Sequence, residues 1–561
     1  MDAIFLPLSN ALGASLDQVK LIFCLLVAYP LGSIYIRIPS DKPTLKHLFS
    51  IAVTLFYFFP MLNMYSAFFQ LLVDVLVTYY LGKSHSPNMP WMVFGFALGH
   101  LMINHIIRIF YGFGYETIEV TGPQMVLVMK LTTFAWNVVD GRRPAEDLDK
   151  WQTAKVVRRY PSLVEFLGYC FYFPGVLVGP YLEYADYQDV VNEITFKERN
   201  IKGHKGRNVP DGRKRVGYRR MLMGLFYLGM FVVFHPSYNF SKLITPEFAA
   251  KPFVKSAGDH YIREVDSCNQ MDRFALTQIY GILERCKYYA IWTLTEGASI
   301  LTGYGFTGIT PSGKTLWNGA ANVNAYVIEM PENFKVLLDA WNMKTNVWLR
   351  ECVYKRVTPK DKKPGFKSSM ITFGTSAFWH GTAIGYYLTF FMGGFITTVA
   401  RLVRKNIRPI FLNAPNQPPS LFKRLYDIIG IITSLIVLNY VTAPFMLLTF
   451  KDSIQAWSNL GWYGHYIVFG GLAFFYAGGA RVLRPLHPKV QVQVQGLGVT
   501  SSSTGRHGNG IRKENGQEVG KETKVVAIQN DTDTIGSPVT PIAEKSGFQV
   551  PPPWAGIART Q

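Results

Sequence analysis

Charge is scarce in this sequence. Only 17% of its 561 residues are Asp, Glu, Lys or Arg, against about 25% in an ordinary soluble chain. Hydrophobic residues make up 49% and aromatics 15%. Too few charges remain to coat a soluble surface, and the same composition excludes a wholly disordered chain. Acidic residues are the scarcer sign, 37 against 57 basic, for a formal net charge of +20. That positive charge is confined to segments between apolar runs, which points to a membrane and not to nucleic acid. Cysteine is also rare. Cys24, Cys170, Cys268, Cys286 and Cys352 are odd in number and lack paired spacing, so neither a disulfide framework nor a zinc site is implied. The sequence has no Gly-x-Ser-x-Gly elbow and no phosphate-binding loop, which removes support from serine-nucleophile and nucleotide-driven mechanisms. No internal repeat is evident, which weakens transporter folds built of inverted halves. The start has no basic segment followed by a small-residue cleavage site, so no cleaved leader is expected.

What is present is long apolar sequence. A helix of about 20 mostly apolar residues crosses a bilayer. Runs of that kind cover Val19–Ile38, Leu48–Leu81 (two passes, broken at Pro60), Trp91–Gly112, Gln124–Val139 and Leu163–Gly179. They continue at Met221–Tyr238, Phe274–Leu301, Met370–Val403, Ile428–Phe450 and Tyr463–Leu483. The expectation is an all-α polytopic membrane protein with roughly ten or eleven transmembrane or re-entrant helices. Two basic loops, Lys197–Arg220 and Tyr354–Lys367, are expected on the cytoplasmic side. From Arg484 onward Ser, Thr, Gly, Pro and mixed charge replace the apolar pattern. Residues 1–483 are therefore read as the membrane-embedded domain and 484–561 as a disordered polar tail.

Within Ser368–Ala400, His380 is the one ionisable side chain apart from the tyrosines. An ionisable group at membrane depth is a functional candidate by default. Trp379-His380-Gly381 is followed by Gly385-Tyr386, and the two glycines, four apart, are expected to clear one helix face for close approach. A neutral imidazole there accepts a proton; the structural alternative is a histidine bonding two helices. A second segment runs through Trp341-Asn342, Thr345, Asn346, Trp348 and Arg350 to Tyr354-Lys355-Arg356. At helical spacing Trp341, Thr345, Trp348 and Cys352 form one stripe, and Asn342, Asn346 and Arg350 another, as in an amphipathic helix at the membrane edge. Asn342 is an uncharged donor and acceptor able to orient a reacting group, and the alternative is an interfacial anchor. Trp136–Arg143 and Tyr169–Tyr184 place Pro, Gly and polar groups inside or at the end of apolar runs, which suits either a cavity wall or broken-helix packing. Asp74, His100 and His105 fit helix-to-helix hydrogen bonds or, in a transporter, an ion path.

Together these motifs resemble the membrane-bound O-acyltransferase family. Trp379-His380-Gly381 with Gly385-Tyr386 is similar to its histidine signature. Trp341-Asn342 with Thr345, Trp348 and Tyr354-Lys355-Arg356 is similar to its asparagine signature, and the two are separated by 38 residues, Asn342 to His380. Trp136–Arg143 and Phe173–Tyr187 resemble the lysophospholipid acyltransferase branch, its fungal members especially. The resemblance covers about residues 15–483. It implies a helical bundle enclosing a reaction chamber in the endoplasmic reticulum membrane, with the tail in the cytosol. It implies acyl transfer from acyl-CoA to the free hydroxyl, mainly sn-2, of a lysophospholipid. His380 is then the general base, and Asn342 orients it or stabilises the oxyanion. Acyl-CoA is a co-substrate, and no metal or other cofactor is implied.

The remaining signature residues (Trp341, Thr345, Asn346, Arg350, Tyr354, Lys355, Arg356, Trp379, Gly381, Gly385 and Tyr386) form the implied substrate-binding set. Arg350, Lys355, Arg356 and Lys360 are candidate partners for the acyl-CoA phosphates. Cys352 is the residue that would allow an acyl-enzyme. The competing readings are a sterol, diacylglycerol or peptide acceptor, a transporter using Asp74, His100 and His380, and a non-catalytic lipid-binding scaffold.

Overall fold

The structure is a computed structural model. It describes residues 1–487 except 114–116, 202, 204–208, 250–269, 360–361, 363–364 and 414–416. The tail from residue 488, Cys268 and Lys360 lie outside the described residues.

The helices of the bundle, in chain order, are α1 (Asp2–Leu12), α2 (Leu16–Tyr35), α3 (Pro43–Phe56, continued as a wide turn to Met61), α4 (Tyr65–Gly82), α5 (Met89–Phe110) and α6 (Thr121–Gly141). They continue as α7 (Leu163–Cys170), α8 (Tyr184–Asn192), α9 (Arg213–Phe234), α10 (Gln270–Leu301), α11 (Phe334–Ala340) and α12 (Met343–Leu349, continued as a wide turn over Arg350–Tyr354). The last are α13 (Phe366–His380), α14 (Ile384–Asn406), α15 (Leu421–Leu447), α16 (Phe450–Asn459) and α17 (Tyr463–Phe474). Among the described residues the one sheet is a two-stranded antiparallel pairing of Gly308–Ile309 with Thr315–Leu316.

Local chemistry starts several of these helices. Ser15 and Gln18 open α2, each side chain accepting from the other's backbone N–H, and Ser162 and Glu165 open α7 in the same way. Among the described residues, eight helices are long and apolar enough to cross a membrane: α2, α3, α4, α5, α9, α14, α15 and the helix that begins with α17 and runs on to Leu486. α6 and α10 have the length but carry polar groups that the bundle buries, among them Gln124, Lys130, Asp140, Glu284, Arg285 and Glu296. The protein is thus an all-α, multi-pass membrane protein.

Three apolar runs fold differently from their simplest reading. Leu48–Leu81 does form two helices, but Pro60 sits inside the wide turn that ends the first, and the chain breaks after it, at Leu62–Met64. Leu163–Gly179 is helical only as far as Cys170. Beyond that its backbone turns at Pro174 and at two glycines, and a Cβ on Gly175 would fall 2.5 Å from the Pro180 carbonyl. Irregular backbone at membrane depth survives where protein satisfies it. Here the Lys130 ammonium caps the carbonyls of Tyr169 and Cys170 at 3.1 and 3.0 Å.

Met370–Val403 is two helices, not one. Gly381, at φ +126°, ends α13, and α14 starts at Ile384 and folds back beside it. Gly394 meets Met370 and Gly393 meets Phe373, so the pair is an antiparallel hairpin. Gly381 and Gly385 therefore do not share a helix face. Gly385 instead brings α14 onto the end of α15. Its N–H donates to the Leu448 carbonyl at 2.9 Å, and a Cβ there would stand 2.0 Å from the Pro444 oxygen.

Gly385→Ala must push α14 from α15, an overpacking cost of about 1–3 kcal/mol. Purified Gly385→Ala protein should aggregate at a lower temperature than the parent in a thermal melt. Gly374→Ala, where a Cβ meets nothing within 4 Å, should melt with the parent.

Candidate active site

A cavity of about 3120 Å³ lies within the bundle, walled by residues of α6, α10, α11, α12, α13, α14 and α15. His380 and Asn342 both line it. The chain brings them there from opposite directions: His380 is the last residue of α13, and Asn342 is the residue before α12.

His380 is held by its own helix. Its Nδ1 lies 2.7 Å from the Ser376 carbonyl. A carbonyl only accepts, so Nδ1 carries the proton and the neutral ring presents Nε2 as a bare acceptor. The ring is packed among Trp379, Tyr386, Phe390 and Phe445 at centroid distances of 4.7 to 5.7 Å. Gly381 follows because the chain must reverse there, and a Cβ would press against the His105 imidazole at 3.1 Å. His105 reaches the same corner, its Nε2 donating to the Trp379 carbonyl at 3.3 Å.

Asn342 sits in the left-handed region, at φ 42° and ψ 54°, which Asn tolerates better than other side-chain-bearing residues. A chain of hydrogen bonds fixes which way its amide points. The Lys344 backbone N–H can only donate, and it meets Asn322 Oδ1 at 2.9 Å. Asn322 must therefore turn its Nδ2 to Asn342, which accepts through Oδ1 at 3.1 Å. The Asn342 amide is left with its NH₂ group to offer. Asn322, twenty residues upstream (342 − 322), has no periodic or motif signal in Ala320-Ala321-Asn322-Val323-Asn324, and sequence reasoning missed it.

The helix after Asn342 packs into the bundle through Thr345 and Trp348, and its expected stripe divides. Trp341 is extended, one residue outside the helical path, and packs against Tyr288 and Trp292 of α10 at 5.4 and 5.1 Å. Thr345, Trp348 and Cys352 face α6. Trp348 Nε1 donates to Thr132 at 2.9 Å, Cys352 lies 3.4 Å from the Thr133 hydroxyl, and Thr345 approaches the Met129 sulfur. Asn346 donates to the Leu338 carbonyl at 3.3 Å. Trp379 extends the same attachment, its Nε1 donating to the Met125 carbonyl of α6 at 3.0 Å and its ring 5.7 Å from Trp348.

The basic end of the asparagine segment is also braced. Arg356 grips Asp140 with both terminal nitrogens, at 3.0 and 2.5 Å, and lies 4.2 Å over the Trp136 ring. Lys355 bridges Asp149 at 2.6 Å and Glu351 at 2.7 Å. Arg350 pairs with Glu351 at 2.7 Å. The chamber wall includes Trp341, Asn342, Thr345, Asn346, Arg350, Tyr354, Trp379, His380 and Tyr386. Lys355, Arg356, Gly381, Gly385 and Cys352 stand behind it. The Trp136–Arg143 segment thus serves as the anchor of Arg356.

The sequence offered no hint of a second set of cations. Arg401 and Arg404 of α14, Arg408 just beyond it and Arg424 of α15 line the same chamber. Among the described residues no carboxylate pairs with any of the four. The hairpin of α13 and α14 puts them at the end of the bundle where the Tyr354–Lys367 loop emerges. A polar cluster lies close to Asn342 in the chain: Lys344 donates to Tyr304 and to the Gly319 carbonyl, and Lys155 contacts Asp186 at 2.5 Å and Glu183 at 3.6 Å. Burial raises the Glu183 carboxyl. At Asp186 burial is outweighed by the Lys155 ammonium, which holds the carboxyl below the usual range.

Asp74 and His100 do not line the chamber. Asp74 is shared between His100 Nδ1 at 2.7 Å and Gln124 at 2.9 Å, and Gln124 also bonds Asn104, so these groups tie α4, α5 and α6 together.

The chain is similar to known proteins over most of its length. The model of the membrane-bound O-acyltransferase family matches residues 105–442, a stretch that contains both Asn342 and His380. The chain is 39% identical over 482 residues to a lysophospholipid acyltransferase of Schizosaccharomyces pombe, spanning 85% of this chain and 89% of that protein. It is 35% identical over 483 residues to a lysophospholipid acyltransferase of Saccharomyces cerevisiae, spanning 83% and 75%. It is 30% identical over 473 residues to membrane-bound glycerophospholipid O-acyltransferase 2 of Homo sapiens, spanning 82% and 84%. With the histidine and asparagine segments meeting in one intramembrane chamber, the chain belongs to the membrane-bound O-acyltransferase family.

Proposed function

We propose that the protein moves a fatty acyl group from acyl-CoA to the free hydroxyl, mainly sn-2, of a lysophospholipid. One observation carries the reading. A single chamber holds an imidazole with a bare Nε2 and a primary amide with a free NH₂, in a chain whose relatives are lysophospholipid acyltransferases. A lysophospholipid hydroxyl is a weak nucleophile and needs a base as it attacks. His380 Nε2 takes its proton while the oxygen bonds to the thioester carbonyl carbon. The carbonyl electron pair moves onto oxygen, where the Asn342 NH₂ donates to it. Collapse restores the carbonyl and breaks the carbon–sulfur bond, and the imidazolium returns its proton to the departing thiolate. Because Ser376 already orients the imidazole, the Asn342 amide is left for the oxyanion.

Both substrates react directly in this scheme, without an acyl-enzyme. Cys352 is fully buried, off the chamber wall and bonded to Thr133. Burial pushes its thiol up to about 12, so no thiolate forms near neutral pH.

The nucleotide end of acyl-CoA is polyanionic and suits Arg401, Arg404, Arg408 and Arg424, which pair with no carboxylate among the described residues. In this reading they, and not Lys355 or Arg356, meet the donor's phosphates. The protein would sit in the endoplasmic reticulum membrane with the basic loops, the arginine end and the tail toward the cytosol, where acyl-CoA is found.

Transfer of labelled oleoyl-CoA to lysophospholipid in membranes tests this reading at equal protein abundance. His380→Ala should lose about a thousandfold or more in kcat, and Asn342→Ala about a hundredfold. Undiminished transfer by His380→Ala would refute the base assignment. Cys352→Ala should transfer like the parent, and its inactivity in folded protein would restore the acyl-enzyme route. Arg404→Ala with Arg408→Ala should raise the KM for acyl-CoA about tenfold or more while kcat holds.

A further inference from the structure

Three asparagines open consecutive helices in the segment that leads into the chamber wall, and two of them behave alike. Asn324 opens the short helix Ala325–Glu329, and Asn333 opens α11. Both are extended, at φ −124° and −164°. Both turn the side-chain oxygen back onto their own first turn. Asn324 Oδ1 accepts from the Val327 N–H at 3.3 Å, and Asn333 Oδ1 from the Val336 N–H at 3.1 Å. Asparagine favours this place because the first N–H groups of a helix have no partner within it. Asn342 opens α12 and departs from the pattern. Its backbone is left-handed, and among the described residues its side chain accepts from no N–H of its own helix.

The cap on α12 comes from another part of the chain. Asn322 is buried, 3% exposed, and gives both of its oxygens to the start of that helix. Its carbonyl accepts from the Met343 N–H at 2.8 Å, and its Oδ1 accepts from the Lys344 N–H at 2.9 Å. Its Nδ2 is left to donate to Asn342 Oδ1 at 3.1 Å. The backbone that carries Asn322 is tied down on both sides. The Gly319 N–H donates to the Gly305 carbonyl at 2.9 Å, and the Asn324 N–H donates to the Ala340 carbonyl at 3.0 Å. The Lys344 ammonium closes the loop by donating to the Gly319 carbonyl at 2.9 Å.

We infer that Asn322 is a positioning residue for acyl transfer: it caps α12 in place of Asn342 and so keeps the Asn342 amide available to the chamber. The inference rests on the acyl-transfer reading above, in which that amide donates to the oxyanion. Two forces draw Asn342 away from this task. A left-handed backbone is one that side-chain-bearing residues resist, and the extended region relieves it. From the extended region, Oδ1 reaches the orphan N–H groups of its own helix, as it does at Asn324 and Asn333. An asparagine here is a cap by default, and it serves the chamber only while another residue does the capping. Asn322 spends its acceptors on the cap, so it can only donate to Asn342. The same bonds that cap the helix therefore also decide which end of the Asn342 amide is left over.

The test is a double-mutant cycle on purified full-length protein, with kcat and KM measured for oleoyl-CoA and for whichever of lysophosphatidylcholine and lysophosphatidylethanolamine the parent turns over faster. In Asn322→Asp one carboxylate oxygen still accepts from the Lys344 N–H, so the cap survives. The other oxygen can only accept, so Asn342 must give it the NH₂ and turn Oδ1 toward the oxyanion. Asn322→Asp should melt with the parent and lose about a hundredfold in kcat, the worth of one oxyanion donor, while both KM values stay within about twofold. In an Asn342→Ala background the same change should cost less than about twofold, because the amide it misdirects is gone. Asn322→Ala should fold, since Asn342 then caps α12 itself, and should lose kcat in the parent background only. Folded Asn322→Asp with the parent's kcat overturns the inference. So does a loss of equal size in both backgrounds, which marks a merely structural role, and so does failure of Asn322→Ala to fold. A parent that acylates no lysophospholipid, or Asn342→Ala as fast as the parent, overturns the acyl-transfer reading itself, which separates the two failures.

Discussion

The site depends on one helix that is polar where a membrane helix is expected to be apolar. α6 is almost wholly buried, and it holds the points to which both the histidine and the asparagine segments are fastened. Thr132 accepts from Trp348, Asp140 takes both arms of Arg356, and the Met125 carbonyl accepts from Trp379. On its other faces Gln124 holds Asp74 and Asn104, and Lys130 caps the broken chain after α7. In a bilayer an unsatisfied polar group costs several kcal/mol. Each of these bonds is therefore hard to exchange for another packing, and together they set the register of the asparagine segment against the histidine helix. Apolar contacts alone would not, because lipid is as good a partner for a leucine as another leucine is.

That constraint explains which parts of the molecule were legible in the sequence. The helical bundle was, because hydropathy over twenty residues reports a span whatever its neighbours do. His380 stood out as a candidate because an ionisable group in an apolar run has few explanations, and it lines the chamber. The breaks were harder. Gly381 splits a run that reads as one span, since local sequence reveals a glycine but not that His105 and the reversing chain need its missing side chain. The stripe through Trp341, Thr345, Trp348 and Cys352 presumed a helix beginning one residue too early. Asn342 takes a left-handed conformation instead and turns Trp341 toward α10. Basic residues misled for a different reason. Lys355 and Arg356 stand in the signature, so they resemble phosphate ligands, yet their carboxylate partners Asp149 and Asp140 lie more than two hundred positions away (355 − 149 = 206; 356 − 140 = 216). Nothing local marks which cations are already paired.

The same accounting of partners gives the chamber its polarity. Cations with no carboxylate partner among the described residues, Arg401, Arg404, Arg408 and Arg424, gather at one end of the wall. Arg285 marks a different level: it bonds Asn439 at 2.5 Å, fifteen residues along α15 from Arg424 (439 − 424), about 22 Å of helix. Phe231, Glu284 and Lys287 line the chamber at that deeper level.

Asn342 shows why a single residue type satisfies two demands at once. At φ 42° most side chains are strained, by about 1–2 kcal/mol, and glycine is the ordinary answer. Glycine would relieve the backbone but remove the amide. Glutamine or histidine would keep a donor but lose the short polar side chain that makes the left-handed region tolerable. Asparagine alone combines the tolerance with an NH₂ one carbon from the Cβ. Asn322 completes the arrangement by taking the Oδ1 and so dictating which end of the amide faces the chamber. The turn places the donor, the neighbour orients it, and α12 begins at the next residue, so the position of the amide follows the helix that α6 holds in place. The geometry at Asn342 is thereby inherited from packing some distance away, through bonds that the bilayer makes expensive to break.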